Sequence, residues 1–272
     1  MTAEFFILGP VEVRAKGRKI VPGGNMLQTL LGVFLVSGNK MLTVDKLEQE
    51  LWGTTPPSKR GNALQAQISR LRRTLARLEP ERAQHRITTN CAGYQFSVSP
   101  NELDSAIFLQ TLKAVRDRAR RDLHEDIAEL RSALALWRGP IFGGLSGDVL
   151  CQAAAAKLEE ARITALELLY DLELQTDEYA KIIPELTQLI AENPFSEQFC
   201  ALLMVALYRS GRQIDALDVF RKFQRRLAEE LGVDPSPTLR HYQKAVLNHD
   251  PLLMYLCVTR NRNRTTSQLV MS

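Results

Sequence analysis

The chain has 272 residues, enough for two compact domains, with 45% hydrophobic and 24% charged residues and a net charge of only +4. No apolar run is long enough to cross a bilayer, and the start Glu4-Phe5-Phe6-Ile7-Leu8 lacks the features of a secretion signal, so a cytoplasmic protein without a membrane partner is expected. Cys91, Cys151, Cys200 and Cys257 are scattered with no Cys-x-x-Cys spacing, which speaks against a zinc site or a disulfide framework.

The charge is uneven. Residues 1–99 hold 14 Lys+Arg and 7 Asp+Glu, a net +7, whereas residues 100–272 hold 21 and 24, a net −3. Eight basic and two acidic residues lie between Lys59 and Arg86. That stretch attracts a polyanion such as DNA, with an attraction that weakens as salt rises.

Residues 4–21 read as short strands: Phe5-Phe6-Ile7-Leu8, then Val11-Glu12-Val13-Arg14, then Arg18-Lys19-Ile20-Val21, separated by the turns Gly9-Pro10 and Lys16-Gly17. A helix over Asn25 to Val36 is apolar on most sides and is expected at the centre of its domain. Thr43 is the N-cap expected for a short helix through Leu51-Trp52, with Asp45 in its first turn, where the helix dipole favours an anion.

A long helix then begins near Ser58. Leu64, Ile68, Leu71, Leu75 and Leu78 form one apolar stripe, and the opposite side carries Lys59, Asn62, Ala66, Ser69, Arg70, Arg73 and Arg77. A β-rich run from Arg86 to Val98 follows, broken at Asn90-Cys91-Ala92-Gly93. Taken alone, the helix is either a DNA-recognition helix or an ordinary amphipathic helix with a solvated basic face. The order of strands, three helices and a hairpin is that of a winged helix with an added N-terminal sheet, whose third helix fits a major groove.

Beyond Ser99-Pro100-Asn101 the strand signal ends. Helices are expected over residues 104–118, 121–137, 149–175, 177–192, 195–210, 212–231 and 236–247. Thr176 and Gly211 open similar segments 35 residues apart, close to the tetratricopeptide period. Helical hairpins of this kind bind proteins or dimerise. The fold class is therefore an α+β winged helix-turn-helix over residues 1–99, an all-α tetratricopeptide-like domain over 100–252 and a disordered tail over 253–272.

Asn62, Arg70 and Arg73 are the first candidates for DNA contact, since Asn pairs with adenine and Arg with guanine or phosphate. Lys59 and Arg60 stand in the first turn, and Gln65 and Gln67 flank the face. Arg72 and Arg77 are read as phosphate contacts or ion pairs, and Arg86, Thr88, Thr89 and Asn90 as wing contacts to phosphate or the minor groove. Gly93 is assigned to the hairpin turn and Tyr94 to the core. Trp52 and Trp137 are packing residues, and His85, His124, His241 and His249 have no ligand spacing. No cofactor, metal or catalytic activity is expected. Besides promoter binding, the residues leave open a pure protein-interaction adaptor whose basic domain never reads DNA.

Several short motifs then stand together: Leu8-Gly9-Pro10-Val11-Glu12-Val13, Leu51-Trp52-Gly53 with Pro56-Pro57, Leu64-Gln65, Ser69-Arg70-Leu71-Arg72-Arg73 and Gly93-Tyr94 in the first half. The second half has Ala133-Leu134-Ala135-Leu136-Trp137-Arg138-Gly139-Pro140, Leu207-Tyr208-Arg209-Ser210-Gly211-Arg212 and Ala228-Glu229-Glu230-Leu231-Gly232-Val233-Asp234-Pro235. In this order the chain resembles the SARP regulators (Streptomyces antibiotic regulatory proteins) over about residues 4–252. The resemblance implies an OmpR-type winged helix joined to a bacterial transcriptional activation domain. It further implies activation of a secondary-metabolite gene cluster, binding of direct repeats near the −35 element by a homodimer or side-by-side protomers, and contact with RNA polymerase holoenzyme through its sigma factor or other subunits. Neither a receiver domain nor an ATPase module is expected. The chain departs from the family at Gly24-Asn25-Met26-Leu27-Gln28, where members commonly carry basic residues.

Overall fold

The computed structural model describes residues 3–53, 60–80, 86–118, 122–145, 147–176, 178–254 and 258. Lys59 lies outside them, as does the tail expected to be disordered apart from Leu253, Met254 and Val258. The chain forms two compact units, Met1–Arg118 with Arg131–Arg162, and Ala119–Leu130 with Ile163–Ser272.

The first unit opens with an antiparallel meander of β1 (Glu4–Phe6), β2 (Glu12–Ala15) and β3 (Arg18–Ile20). Phe5 faces Val13 across the first pair and Val13 faces Ile20 across the second. Helices α1 (Asn25–Val36), α2 (Val44–Trp52) and α3 (Arg60–Leu78) follow. Thr43 caps α2, its hydroxyl accepting from Lys46 N at 3.3 Å. The hairpin of β4 (Ile87–Asn90) and β5 (Gly93–Phe96) completes the winged helix in the expected order.

The core explains that order. Leu30, Leu31, Val33 and Phe34 of α1 are fully buried, so this helix is the hub the others cover. Phe96 stacks on Phe34 at 5.7 Å and meets Phe5 edge-on at 5.4 Å, joining wing, hub and N-terminal sheet. Such ring pairs add about 0.5–1.5 kcal/mol each beyond their burial.

Segments from beyond residue 99 close this unit. The Asp104 carboxylate, at the start of α4 (Asp104–Asp117), accepts from Ile7 N at 2.9 Å and Leu8 N at 3.0 Å. After α5 (Leu123–Leu134), Arg138 N donates to Leu8 O at 2.7 Å and Phe142 N to Ile7 O at 3.0 Å. Gly9, at φ +146°, allows this approach: a Cβ there would stand 2.9 Å from Arg138 Cβ. Trp137 packs edge-on against Phe108 at 5.5 Å.

α6 (Val149–Glu173) gives its first part to this unit and its remainder to the second. The second unit also takes the part of α5 up to Leu130 and is otherwise built from α7 (Ile183–Glu192), α8 (Glu197–Arg209), α9 (Gln213–Leu231) and α10 (Pro237–Leu247). Every residue of α8 from Phe199 to Leu207 is buried, so α7, α9 and α10 pack around a central helix. The helix expected over 177–192 starts later. Pro184 has no N–H and fits only the first turn, so α7 begins at Ile183 after a 3-10 turn over Tyr179–Ile182. α5 is likewise shorter than the expected 121–137, ending in a turn before Trp137.

Candidate nucleic-acid interface

Helix α3 carries five arginines and no acidic residue between Arg60 and Leu78. Leu64, Ile68, Leu71, Leu75 and Leu78 are buried, each 3% exposed or less. That stripe fixes the helix on its long axis. Asn62, Gln65, Ala66, Ser69, Arg70, Arg73 and Arg77 are exposed, as the 3.6-residue period requires of the opposite side. Gln67 is half-buried, and Arg60 opens the helix. Within the face, Arg73 Nε reaches Ser69 O at 3.4 Å and the Thr74 hydroxyl bonds Arg70 O at 3.0 Å.

The wing is held against this helix by Arg72. Its Nη2 donates to Ile87 O at 2.9 Å and to the Thr89 hydroxyl at 2.7 Å. Arg72 is thus a strut between α3 and β4, and it orients the wing instead of standing free on the outer face. Thr88, Thr89 and Asn90 are exposed on β4. The Asn90 side-chain oxygen accepts from Ala92 N at 2.8 Å and Gly93 N at 3.1 Å, shaping the tip.

Gly93 does more than serve the turn. At φ +146° its backbone lies so close to Leu42 that a Cβ would meet Leu42 O at 2.0 Å. The next residue, Tyr94, exchanges backbone bonds with Leu42 at 2.9 Å in both directions and is buried. The wing is therefore also stitched to the loop before α2.

Arg86 requires a correction. It is 5% exposed and cannot serve as a wing contact to DNA. Its guanidinium holds two carboxylates at once: Nε and Nη2 bond Glu79 at 2.6 and 3.0 Å, while Nη1 and Nη2 bond Glu102 at 2.6 and 3.1 Å. Nη1 also donates to Ser97 O at 2.9 Å. Burial alone would lower the Arg86 pKa, but the bonds from Glu79 and Glu102 outweigh it and hold it above the ordinary value, so the cation is permanent. This clamp joins the end of α3, the entry to β4 and the segment leading into α4.

A second buried carboxylate anchors α2. Glu50, 4% exposed, accepts from Leu150 N at 2.7 Å and Cys151 N at 3.5 Å, capping the start of α6. Burial and the nearby Glu50 charge push the Cys151 thiol up to about 12, which keeps it neutral and unreactive. Cys200 is buried and Cys91 exposed at the wing tip; Cys257 lies outside the described residues. Among the described residues no cluster of His, Cys, Asp and Glu is placed to hold a metal, and no helix is long and apolar enough to cross a membrane.

Sequence reasoning missed the Arg72 strut, the Arg86 clamp and the Glu50 cap. Arg86 stands at a strand entry, Glu50 near a helix end and Arg72 inside α3, but the partners of each are fixed only once the chain is folded.

A buried stripe, an acid-free exposed face and a braced wing make up a winged helix, and the comparisons with known proteins identify the chain as a regulator of transcription. Residues 21–107 match the family described as "Transcriptional regulatory protein, C terminal", and residues 103–247 match the "Bacterial transcriptional activator domain". The chain is 37% identical over 251 residues to the transcriptional regulator RedD of Streptomyces coelicolor, spanning 92% of this chain and 72% of that protein. It is 32% identical over 252 residues to the regulatory protein DnrI of Streptomyces peucetius, spanning 90% and 92%. A solved structure of EmbR from Mycobacterium tuberculosis, in complex with a low affinity phosphopeptide, superposes with a TM-score of 0.87 at 27% identity, over 98% of this chain and 70% of that one. The chain belongs to the SARP family of transcriptional activators.

Proposed function

We propose that this activator binds promoter DNA sequence-specifically and switches on a secondary-metabolite, antibiotic-type biosynthetic gene cluster. In this reading the winged helix of residues 1–99 docks α3 in the major groove of a direct repeat near the −35 element. A homodimer, or protomers set side by side, occupies successive repeats, and residues 100–252 contact RNA polymerase holoenzyme. No cofactor takes part, and the protein works in the cytoplasm.

The observation that carries the reading is the outer face of α3, exposed from Asn62 to Arg77 without a single acidic residue. Asn62 is assigned to a base edge and Arg70 and Arg73 to guanine or phosphate, with Gln65 and Gln67 beside them. Lys59, Arg60 and Arg77 are assigned to phosphates, and Thr88, Thr89 and Asn90 to the backbone or minor groove at the wing. Arg72 contributes by orienting the wing.

Footprinting of host genomic DNA with the full chain tests this. Protection of two or more equally spaced repeats upstream of biosynthetic genes is expected, and Asn62→Ala should relax base preference at one position, costing about 1–3 kcal/mol there. Uniform, sequence-independent protection would reject the assignment.

A further inference from the structure

The second unit has a groove apart from the residues assigned to DNA. α7 supplies one wall through Thr187, Ile190 and Ala191, and α9 supplies the other through Val219, Lys222, Phe223 and Arg226, with Leu203 of α8 at the floor. Its volume is about 240 Å³, room for one or two large apolar side chains. The Thr187 hydroxyl is already bonded to Ile183 O at 2.8 Å, so Thr187 adds no unsatisfied donor. Ile190 and Val219 are only half-buried, packed against the core below while remaining accessible.

The charge is one-sided. On α9 the apolar pair Val219 and Phe223 and the basic pair Lys222 and Arg226 share one face at i, i+3, i+4 and i+7. On α9, Val219 and Phe223 therefore each lie within a helical turn, about 5.4 Å of rise, of a cation. Arg226 faces Glu230 at 3.6 Å, but both are well exposed, and a pair of that kind is worth little and exchanges partners readily. α7 contributes no charge to its wall. An apolar slot with two cations along one lip complements an amphipathic helix that carries carboxylates one turn from its apolar anchor.

We propose that this groove is the docking site for such an acidic amphipathic helix, presented by a protein of the transcription machinery. The inference rests on the promoter-activator reading above and specifies which surface makes the activating contact. The apolar anchor seats between Ile190, Val219 and Phe223, and the carboxylates meet Lys222 and Arg226.

The test uses the full chain, promoter DNA and host RNA polymerase holoenzyme. Two variants are compared with wild type: Val219→Asp, which puts a charge into the slot, and the surface double variant Lys222→Glu with Arg226→Glu. Promoter affinity is measured without polymerase, and run-off transcription with it. Promoter affinity should stay within about twofold of wild type, while both variants lose about tenfold or more of the activated transcript, as hot-spot contacts do. Undiminished transcription by the double variant would overturn the proposal. So would promoter affinity falling in step with the transcript, which would give the groove to DNA or to a second copy of the chain. If the wild-type protein neither binds nor activates the promoter, the promoter-activator reading itself has failed, an outcome distinct from failure of the groove alone.

Discussion

Arg86 and Arg70 are sixteen residues apart and chemically identical, yet one is interior and the other exposed. Arg86 neutralises two buried carboxylates, so removing it leaves Glu79 and Glu102 facing each other in the interior. Arg86→Ala is expected to cost about 3–5 kcal/mol, measured by urea unfolding, whereas Arg70→Ala should change stability by no more than about 0.5 kcal/mol. Glu12 is a milder case. Burial raises its pKa, but Lys19, Arg14 and Arg138 together outweigh that and hold the carboxyl below its ordinary 4.5. A carboxyl lowered in the folded state stabilises above its unfolded pKa and loses that contribution as pH falls through the lowered folded value. Glu12→Gln should therefore lower the melting temperature at pH 7 and flatten its decline on the acid side below pH 4.5. Asp104 has the opposite sign: burial pushes it up, with the amides of Ile7, Leu8 and Ser105 and the Arg138 charge only partly offsetting it.

At the scale of elements, what could be read in advance was what depends on local period. α1 over Asn25–Val36, the Thr43 cap and the α3 stripe from Leu64 to Leu78 are all specified within a few turns of chain. The hairpin break at Asn90-Cys91-Ala92-Gly93 was legible for the same reason. What was not legible depends on distant partners. Arg72 and Arg86 looked like any other cations near a basic helix, and only the folded wing brings Thr89, Ile87 and Glu102 to them. Local sequence marks Gly93 as a turn residue, but its constraint comes from Leu42, fifty-one positions earlier. Gly93→Ala is expected to destabilise by about 2–3 kcal/mol, through backbone strain and displacement of the Leu42–Tyr94 stitch. Because that shift moves the wing, promoter affinity should also fall in a gel-shift titration, whereas an exposed change such as Ala66→Ser should leave stability unaltered.

For the molecule as a whole, two of the motifs that carry the family resemblance are partners of one another. Leu8-Gly9-Pro10 receives Arg138-Gly139-Pro140 through the Arg138–Leu8 backbone bond, and Asp104 holds the same strand end from the other direction. The first compact unit accordingly takes in residues well beyond the winged helix. Buried Arg209 plays a similar part in the second unit, donating to the carbonyls of Leu253 and Leu174. In the first unit, the Arg138 and Asp104 contacts hold the strand end beside the winged helix that carries the α3 face. The most direct test of that face is the affinity of the full chain for promoter DNA, titrated with salt, for wild type and for Arg70→Ala with Arg73→Ala. The double variant should bind more weakly, with a salt slope shallower by about 2, one unit for each lost cation–phosphate contact, or with lost base preference where an arginine reads guanine. Equal affinity, slope and base preference in the two proteins would contradict the account.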